Sequence, residues 1–342
     1  MNVIQSNYKR RETYHVTIEH SILFECALGI AAITNKPLLD TLEKKDWPTG
    51  SFSPALRQEL ATVEKNNTWK SLLQLLHQES FQTLQQFTDF IDHLPEEQLK
   101  FICLPYLGES FQEKRAEASK GQDQSIHYLK KEVEDHPFFA EYISFISSTD
   151  PIKLKTHLQT VMNEWYEAVI QPEEQTAVLE RDHRAKEKML ANMEPEAFIE
   201  WATGGIQYPA EPSVYRVLLI PHMTYRPWNV EADLEGTKVF YYPVSNDSLH
   251  SNDPYTPDQF VVQKYKALGD EVRLKIIKYL FEQERTLQEL TGLLEMGKST
   301  IHHHLKMLKA ARIVESSHST YRLKKQTIDM MGAELEQFLG RK

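Results

Sequence analysis

The chain has 342 residues, about twice the size of a typical domain, and 41% of them are hydrophobic and 26% charged. These values exclude an intrinsically disordered chain, a collagen-like repeat and a small scaffold held together by disulfides. The formal net charge of −10 argues against a protein that coats nucleic acid along its whole length.

No segment of the sequence predicts membrane insertion or export. The longest apolar run, Ile22–Ile33, predicts a buried helix, since a membrane span needs about 20 apolar residues. The basic residues near the N-terminus are not followed by the apolar stretch that a secretion signal requires. Cys26 and Cys103 stand alone in apolar surroundings, so no disulfide framework is expected and a reducing cytoplasm is the predicted compartment.

Helical periodicity extends over residues 19–204, where apolar residues recur at spacings of three and four. Asp150 followed by Pro151 predicts an N-cap and the first residue of a helix. That helix carries an apolar stripe from Leu154 to Val169. The stripe either packs in a domain core or forms a second dimer contact.

The residue composition and periodicity change after this helical region. β-branched and aromatic residues at Val214–Ile220 and Thr237–Val244 predict two strands. The polar segment Ser245–Pro254 then predicts a linker. The predicted fold is therefore mainly α, with a helical domain containing a small β-hairpin or sheet at residues 1–255 and a second domain at residues 256–342.

An aromatic and polar set around the two predicted strands is a candidate pocket for a small molecule or a peptide, with His222 or Arg226 as a polar anchor. The set consists of Trp201, His222, Tyr225, Arg226 and Trp228. Packing of the same side chains in the domain core is the alternative. The expected role of the first domain is sensing and dimerisation, with an unknown ligand.

Charge is distributed unevenly along the chain. Residues 260–342 hold 15 Lys and Arg against 10 Asp and Glu, whereas residues 1–259 hold 24 against 39. Within Gly297–Lys325, seven basic residues accompany a single acid, Glu315. A local basic surface on an acidic protein is the electrostatic pattern of a nucleic-acid-binding module.

The C-terminal residues predict short helices followed by a strand pair. The predicted helices are Ala267–Gln283, Thr286–Leu294, Lys298–Ala311 and Thr327–Leu339, and the predicted strands are Ile313–Glu315 and Thr320–Leu323. Thr286 and Glu289 have the spacing of a capping box. Two helices, a turn with glycine, a third helix and a β-hairpin form a winged helix-turn-helix.

The helix predicted at Lys298–Ala311 has an apolar side and a polar side without any acid. A rod of this kind fits the major groove and offers hydrogen-bonding groups to base edges and cations to phosphates. The residues expected to contact bases are Ser299, Thr300, His302 and His303. The residues expected to hold phosphates are Lys298, Lys306, Arg322 and Lys324.

Several motifs in this region, in this order, resemble the ArsR family of bacterial regulators. They are Lys266–Ile277, Thr286–Leu290, Lys298–Leu308, Ala311–Glu315 and Tyr321–Leu323. The resemblance implies a homodimeric transcription factor, usually a repressor, whose recognition helices enter successive major grooves of a near-palindromic DNA operator. It also implies a dimer interface that includes the C-terminal helix, where Ile328, Met331, Leu335 and Phe338 form an apolar stripe.

The sequence departs from the metal-sensing members of that family, and no metal or other cofactor is expected. Where those members carry a Cys-x-Cys pair, this chain has Leu287–Leu290. The run His302–His304 cannot converge on one ion, because consecutive helical residues point about 100° apart. Glu180, His183 and Glu187 share a helical face, which is interpreted as a solvated charged surface in preference to a metal site.

The sequence therefore predicts a sequence-specific DNA-binding transcriptional regulator with no membrane association. Its first domain is expected to sense a small-molecule effector or a partner. The alternative is a protein-interaction scaffold in which the winged helix mediates assembly, although an interface core normally lacks such a basic excess. No nucleophile–base spacing or phosphate-binding loop appears, so no enzymatic activity is predicted.

Overall fold

The computed structural model describes residues 14–39, 41–43, 47–249, 255, 257, 259–317 and 319–340, and it divides the chain into two units. The first unit extends to Pro195 and also includes Pro209–Val244. The second unit combines Glu196–Tyr208 with the residues from Ser245 onward. As predicted, the chain is mainly helical, with a small sheet in the first unit and helices followed by strands in the second.

The first unit is built from helices that surround a buried apolar core. They are α1 (Ile22–Thr34), α2 (Lys36–Leu39), α3 (Pro54–Asn66), α4 (Trp69–Leu76), α5 (Leu84–His93), α6 (Glu96–Cys103), α7 (Gln112–Ser119), α8 (Asp123–Glu132), α9 (Phe139–Ser148), α10 (Pro151–Val169) and α11 (Pro172–Leu190). Helix α10 begins as predicted, with the Asp150 carboxylate accepting a hydrogen bond from the Lys153 amide at 3.0 Å. Its apolar stripe, including Trp165, is buried in the core of this unit. None of the helices in the described part of the chain combines the length and the hydropathy that a transmembrane helix requires.

A four-stranded mixed sheet completes the first unit. Its strands are β1 (His15–Ile18), β2 (Arg216–His222), β3 (Val230–Leu234) and β4 (Thr237–Pro243), in the order β1-β2-β4-β3. Strands β1, β2 and β4 are parallel, and β3 runs antiparallel to β4. The two predicted strands are confirmed to within two residues, whereas β1 was not predicted and β3 lies in the segment expected to connect them.

The sheet contributes one of its faces to the main core. Leu218 and Ile220 of β2 lie beside Val239 and Tyr241 of β4, and all four side chains pack with the buried residues of the helices. The opposite face of both strands is buried as well, which is typical of parallel strands covered on two sides.

The second unit contains the winged helix and a segment from the middle of the chain. Its helices are α12 (Pro195–Ala202), α13 (Asn246–Leu249), α14 (Gln259–Leu268), α15 (Glu271–Glu282), α16 (Leu287–Leu294), α17 (Lys298–Ala310) and α18 (Lys325–Phe338). Strands β5 (Arg285–Thr286), β6 (Val314–Ser317) and β7 (Thr320–Leu323) form an antiparallel sheet in the order β5-β7-β6. The helix predicted from Ala267 begins at Glu271, because Asp270 is its N-cap.

The division into units differs from the boundary drawn on the sequence between residues 255 and 256. Helix α12 and the turn after it, which the sequence placed in the first domain, group with the winged helix. The predicted linker Ser245–Pro254 begins with α13, and its residues 250–254 lie outside the described part of the chain.

Candidate nucleic-acid interface

Local sequence signals fix the ends of the helices that form the helix-turn-helix. The Asp270 carboxylate accepts a hydrogen bond from the Arg273 amide at 2.9 Å at the start of α15. The predicted capping box is present at the start of α16, where the Glu289 amide donates to Thr286 Oγ1 at 3.2 Å and the Glu289 carboxylate accepts from the Thr286 amide at 2.6 Å. These caps also hold the pKa of both carboxyl groups, Asp270 and Glu289, below the ordinary values.

Helix α17 presents the polar face that the sequence predicted. Ile301, Leu305 and Leu308 are buried in the core of the second unit, together with Leu290 and Ile313. The residues expected to face DNA on this helix are all exposed: Lys298, Ser299, Thr300, His302, His303 and Lys306. The exposed face therefore combines hydroxyl, imidazole and ammonium groups and includes no acidic residue.

The third histidine of the run has a different environment. The His304 side chain is 13% exposed, and its Nδ1 lies 3.7 Å from Oδ1 of Asp270. His304 thus faces the start of α15 and does not belong to the exposed face of α17. Among the described residues, no cluster of three or more His, Cys, Asp or Glu side chains is arranged to hold a metal ion.

The β6–β7 hairpin is the wing of the domain, and two basic residues expected to hold phosphates lie on it or directly after it. These two residues, Arg322 and Lys324, differ in accessibility. Arg322 is opposite Glu315 in the β6–β7 pair, forms an ion pair with it and remains half-exposed. Lys324 is buried, and its Nζ lies 3.1 Å from Oε1 of the buried Glu200. In this arrangement Arg322 can reach a phosphate, whereas Lys324 is occupied within the second unit.

Residues 196–208, which we name the α12 segment, hold several cations of the winged helix. Lys324 Nζ also donates to the Gly205 carbonyl oxygen, and Arg312 Nη1 donates to the Thr203 carbonyl oxygen. Arg322 Nη2 lies 3.4 Å from the side-chain oxygen of Gln207. The α12 segment therefore contacts the base of the wing through both charged and backbone groups.

The close packing at Gly205 depends on the absence of a side chain. Gly205 has φ +128°, and a Cβ atom there would lie 2.9 Å from Cδ of Arg312. In the sequence, Gly205 follows Gly204, and a pair of glycines is typical of a turn. Its contacts with Arg312 and Lys324, more than 100 residues away, could not be inferred from local composition.

The aromatic set proposed as a ligand pocket is divided between the two units. His222, Tyr225, Arg226 and Trp228 belong to the first unit and Trp201 to the second. Arg226 is buried and forms an ion pair with Glu43 at 3.0 Å, while Trp228 Nε1 donates to Thr41 Oγ1 at 3.2 Å. These contacts stabilise the loop after β2 in the first unit.

A hydrogen-bonded Glu-His-Thr arrangement in the first unit was not anticipated from the sequence. His157 Nδ1 contacts the Glu59 carboxylate, and His157 Nε2 lies 2.7 Å from Thr68 Oγ1. The order of groups resembles that of a hydrolytic triad, in which the hydroxyl must reach a substrate. Thr68 is 0% exposed, so this arrangement ties α3, α4 and α10 together and does not form an accessible nucleophile.

The acidic and histidine face on α11 forms local pairs. His183 Nε2 lies 3.2 Å from the Glu187 carboxylate, and the His183 ring is 4.6 Å from the ring of His20. Burial, followed by the neighbouring His183, lowers the pKa of His20. The pairs are consistent with a partly solvated charged surface.

The geometry of the second unit defines a winged helix-turn-helix domain with a basic recognition helix. Residues 270–316 match the family model described as "Bacterial regulatory protein, arsR family", so the second unit carries an ArsR-family helix-turn-helix domain, in agreement with the resemblance. The match and the fold indicate DNA-binding transcriptional regulation. Neither the curated proteins nor the solved structures include a match to this chain.

Proposed function

We propose that the protein is a sequence-specific transcriptional repressor that binds its operator as a homodimer. The observation that carries this proposal is the exposed, acid-free face of α17 on a winged helix. Ser299, Thr300, His302 and His303 contact base edges, and Lys298, Lys306 and Arg322 contact phosphates. Such a regulator acts on bacterial DNA, so we place it in the cytoplasm.

Dimerisation is supported by apolar groups on the helices beside the winged helix. On α18, Ile328, Leu335 and Phe338 are only partly buried within the chain, whereas Met331 is buried. An ion pair of 2.6 Å between Lys264 and Glu334 holds α18 against α14. This contact fixes which side of α18 carries the partly buried apolar residues. Two recognition helices in one dimer would then contact half-sites about 34 Å apart.

We further propose that the first unit senses a ligand and that the α12 segment transmits its state to the wing. This role is supported by chain connectivity, since the α12 segment is covalently joined to the first unit at both of its ends, Pro195 and Pro209. A movement of either end would act on the groups that hold Arg312 and Lys324. The effector would thus act through a differential affinity for two arrangements of the wing.

The test is fluorescence anisotropy of the full chain with DNA from upstream of its own gene and with random-sequence DNA, at several salt concentrations. If six to eight phosphates are neutralised per dimer, log K falls with log salt with a slope of about −5 to −7. Lys306→Ala should weaken binding to both DNAs, whereas Lys188→Ala, an exposed lysine on α11, should not. A slope near zero with equal affinity for both DNAs would instead favour the scaffold function.

A further inference from the structure

A polar cavity of about 520 Å³ lies in the first unit at the starting ends of β2 and β4. Arg216 and Leu218 of β2 line it together with Thr237, which is paired with Arg216 in the sheet. The opposite wall comes from the end of α4, from α6 and from Arg115 of α7. The volume falls in the range of about 300–1,000 Å³ that is usual for small-molecule sites.

The lining of this cavity is rich in uncharged hydrogen-bonding groups. Gln78 and Gln98 contribute exposed amide groups, and Tyr106 contributes a phenol. Gln74 is buried behind them, with its amide nitrogen donating to the Leu104 carbonyl oxygen at 2.9 Å. A ligand with several hydroxyl groups could form hydrogen bonds with these side chains, because each amide and phenol can both donate and accept.

Arg115 gives the cavity a buried positive charge. Its side chain is 8% exposed, and its guanidinium donates to the Leu104 and Ile102 carbonyl oxygens and to the Gln112 side chain at 3.1–3.4 Å. All of these partners are neutral, and within the described part of the chain no carboxylate forms an ion pair with Arg115. A buried charge without a counter-ion is costly, so an anionic group bound there would be stabilising.

The remaining charged groups of the lining do not cancel this effect. Arg216 forms an ion pair with Glu19, so the two charges compensate each other. Glu79 and Glu235 are exposed; Glu235 attracts Arg115 through space without contacting it, and solvent weakens the effect of both carboxylates. His77 lies in the same wall with its Nε2 2.6 Å from the Tyr241 hydroxyl, and burial lowers the pKa of His77 to about 3, so it is neutral at pH 7.

We propose that this cavity binds a small organic anion whose body carries several hydroxyl groups, of the chemical class of sugar acids and sugar phosphates. The anionic group lies at Arg115, and the hydroxyl groups contact the amide wall. This site differs from the aromatic set around the loop after β2. Any effect of the ligand on DNA affinity rests on the proposed function, whereas binding itself does not.

Calorimetric titration and thermal unfolding of the full chain without DNA test the proposal. The probes are gluconate and glucose 6-phosphate, with glucose as the uncharged polyol and hexanoate as the anion without hydroxyl groups. We expect at least one of the two acidic sugars to bind and to raise Tm, with at least tenfold weaker binding of glucose and hexanoate. Gluconate and glucose 6-phosphate together distinguish a carboxylate from a phosphate as the anionic group.

Three variants test where the ligand binds. Gln98→Glu removes an amide donor from the wall that is proposed to contact the hydroxyl groups, and it should weaken binding of the acidic sugars roughly tenfold, because a carboxylate only accepts hydrogen bonds. Gln124→Glu places the same change on the exposed side of α8, outside the cavity, and should leave binding unchanged. Arg115→Lys should also weaken binding of the acidic sugars. If Arg115→Lys does not fold, Gln98→Glu still tests the site.

The outcomes separate this inference from the proposed function. Binding of glucose or hexanoate as tight as that of the tighter acidic sugar, no binding by either acidic sugar, or equal effects of Gln98→Glu and Gln124→Glu would overturn the cavity assignment. Anisotropy with and without the bound sugar is a separate measurement. If an acidic sugar binds the cavity without changing the affinity for DNA, the binding site is supported and only its regulatory role is rejected.

Discussion

Nζ of Lys324 lies 3.1 Å from Oε1 of Glu200, and the two side chains are 4% and 7% exposed. Glu200 belongs to α12, whereas Lys324 follows the last strand of the wing. A buried ion pair is compensated only while both charges are present, since either charge alone keeps its desolvation cost. This pair therefore makes the position of the wing dependent on a helix that is distant in sequence.

We predict that Glu200→Gln destabilises the second unit by about 3–5 kcal/mol, because Lys324 remains buried without its counter-ion. Hydrogen exchange of the full chain should then show lower protection in residues 196–208. Glu196→Gln, on the exposed side of the same helix, is the matched control and should cost only about 0.3–1 kcal/mol, the favourable interaction of an exposed first-turn carboxylate with the helix N-terminus. The double variant Glu200→Gln/Lys324→Met should recover part of the loss. Equal effects of the two glutamate variants would contradict this account.

The second prediction concerns sequence preference. His303 is exposed on the outward face of α17, so His303→Ala should lower the affinity for the operator and leave that for random DNA nearly unchanged. A loss of about 1–3 kcal/mol in discrimination is expected for one base contact. Anisotropy titrations on both DNAs measure it, with His127→Ala on α8 as the control. Full discrimination by His303→Ala would show that this histidine does not contact a base.

Sequence patterns predicted the recognition helix because its determinants are local. The spacing of Ile301, Leu305 and Leu308 fixes which side of α17 is buried, and Thr286 with Glu289 fixes the start of α16. These interactions join residues three or four positions apart, so they are visible in a single stretch of sequence. The exposed binding face follows directly from them.

The parts that the sequence did not predict depend on contacts between distant segments. Strand β1 pairs with β2 across about two hundred residues, and four residues are too few to show a periodicity. Lys324 stands in a run of basic residues that suggests phosphate contact, and only its distance to Glu200 shows that it is buried. The cavity is likewise assembled from α4, α6, α7 and two strands, so no single motif marks it.

The third prediction is a dependence of stability on pH that originates at His77. Burial, assisted by the positive charges of Arg216 and Lys70, lowers the pKa of His77 from 6.5 to about 3. Between these values the unfolded chain binds a proton that the folded chain does not, so the free energy of unfolding decreases as the pH falls. At pH 5 the loss from this residue is up to about 2 kcal/mol relative to pH 7.

Urea unfolding at pH 7 and pH 5 tests this dependence with His77→Asn, which cannot be protonated in that range. The variant loses the contact with the Tyr241 hydroxyl and should be less stable at pH 7, but its stability should decrease less on acidification. His127→Asn, at an exposed position, should retain the pH dependence of the natural protein. Parallel decreases in all three proteins would assign the acid sensitivity to other groups.

The last prediction concerns the close approach of α1 and α10 in the core of the first unit. A Cβ atom at Gly29 would lie 2.8 Å from Cζ2 and from Nε1 of Trp165. The Trp165 ring is fully buried and packs edge-on against Trp47 and Phe52, so it has little room to move away. Gly29→Ala should therefore destabilise the protein by about 1–3 kcal/mol through overpacking, even though alanine favours helices.

Gly292→Ala provides the matched control for this substitution. Gly292 also lies inside a helix, α16, but it is exposed and no atom lies within 4 Å of the position of its added Cβ. Here only the backbone preference changes, so stability should increase by up to about 1 kcal/mol. Thermal unfolding of the two variants should thus shift Tm in opposite directions. An increase in Tm for Gly29→Ala would mean that Trp165 can move and that the α1–α10 contact tolerates a methyl group.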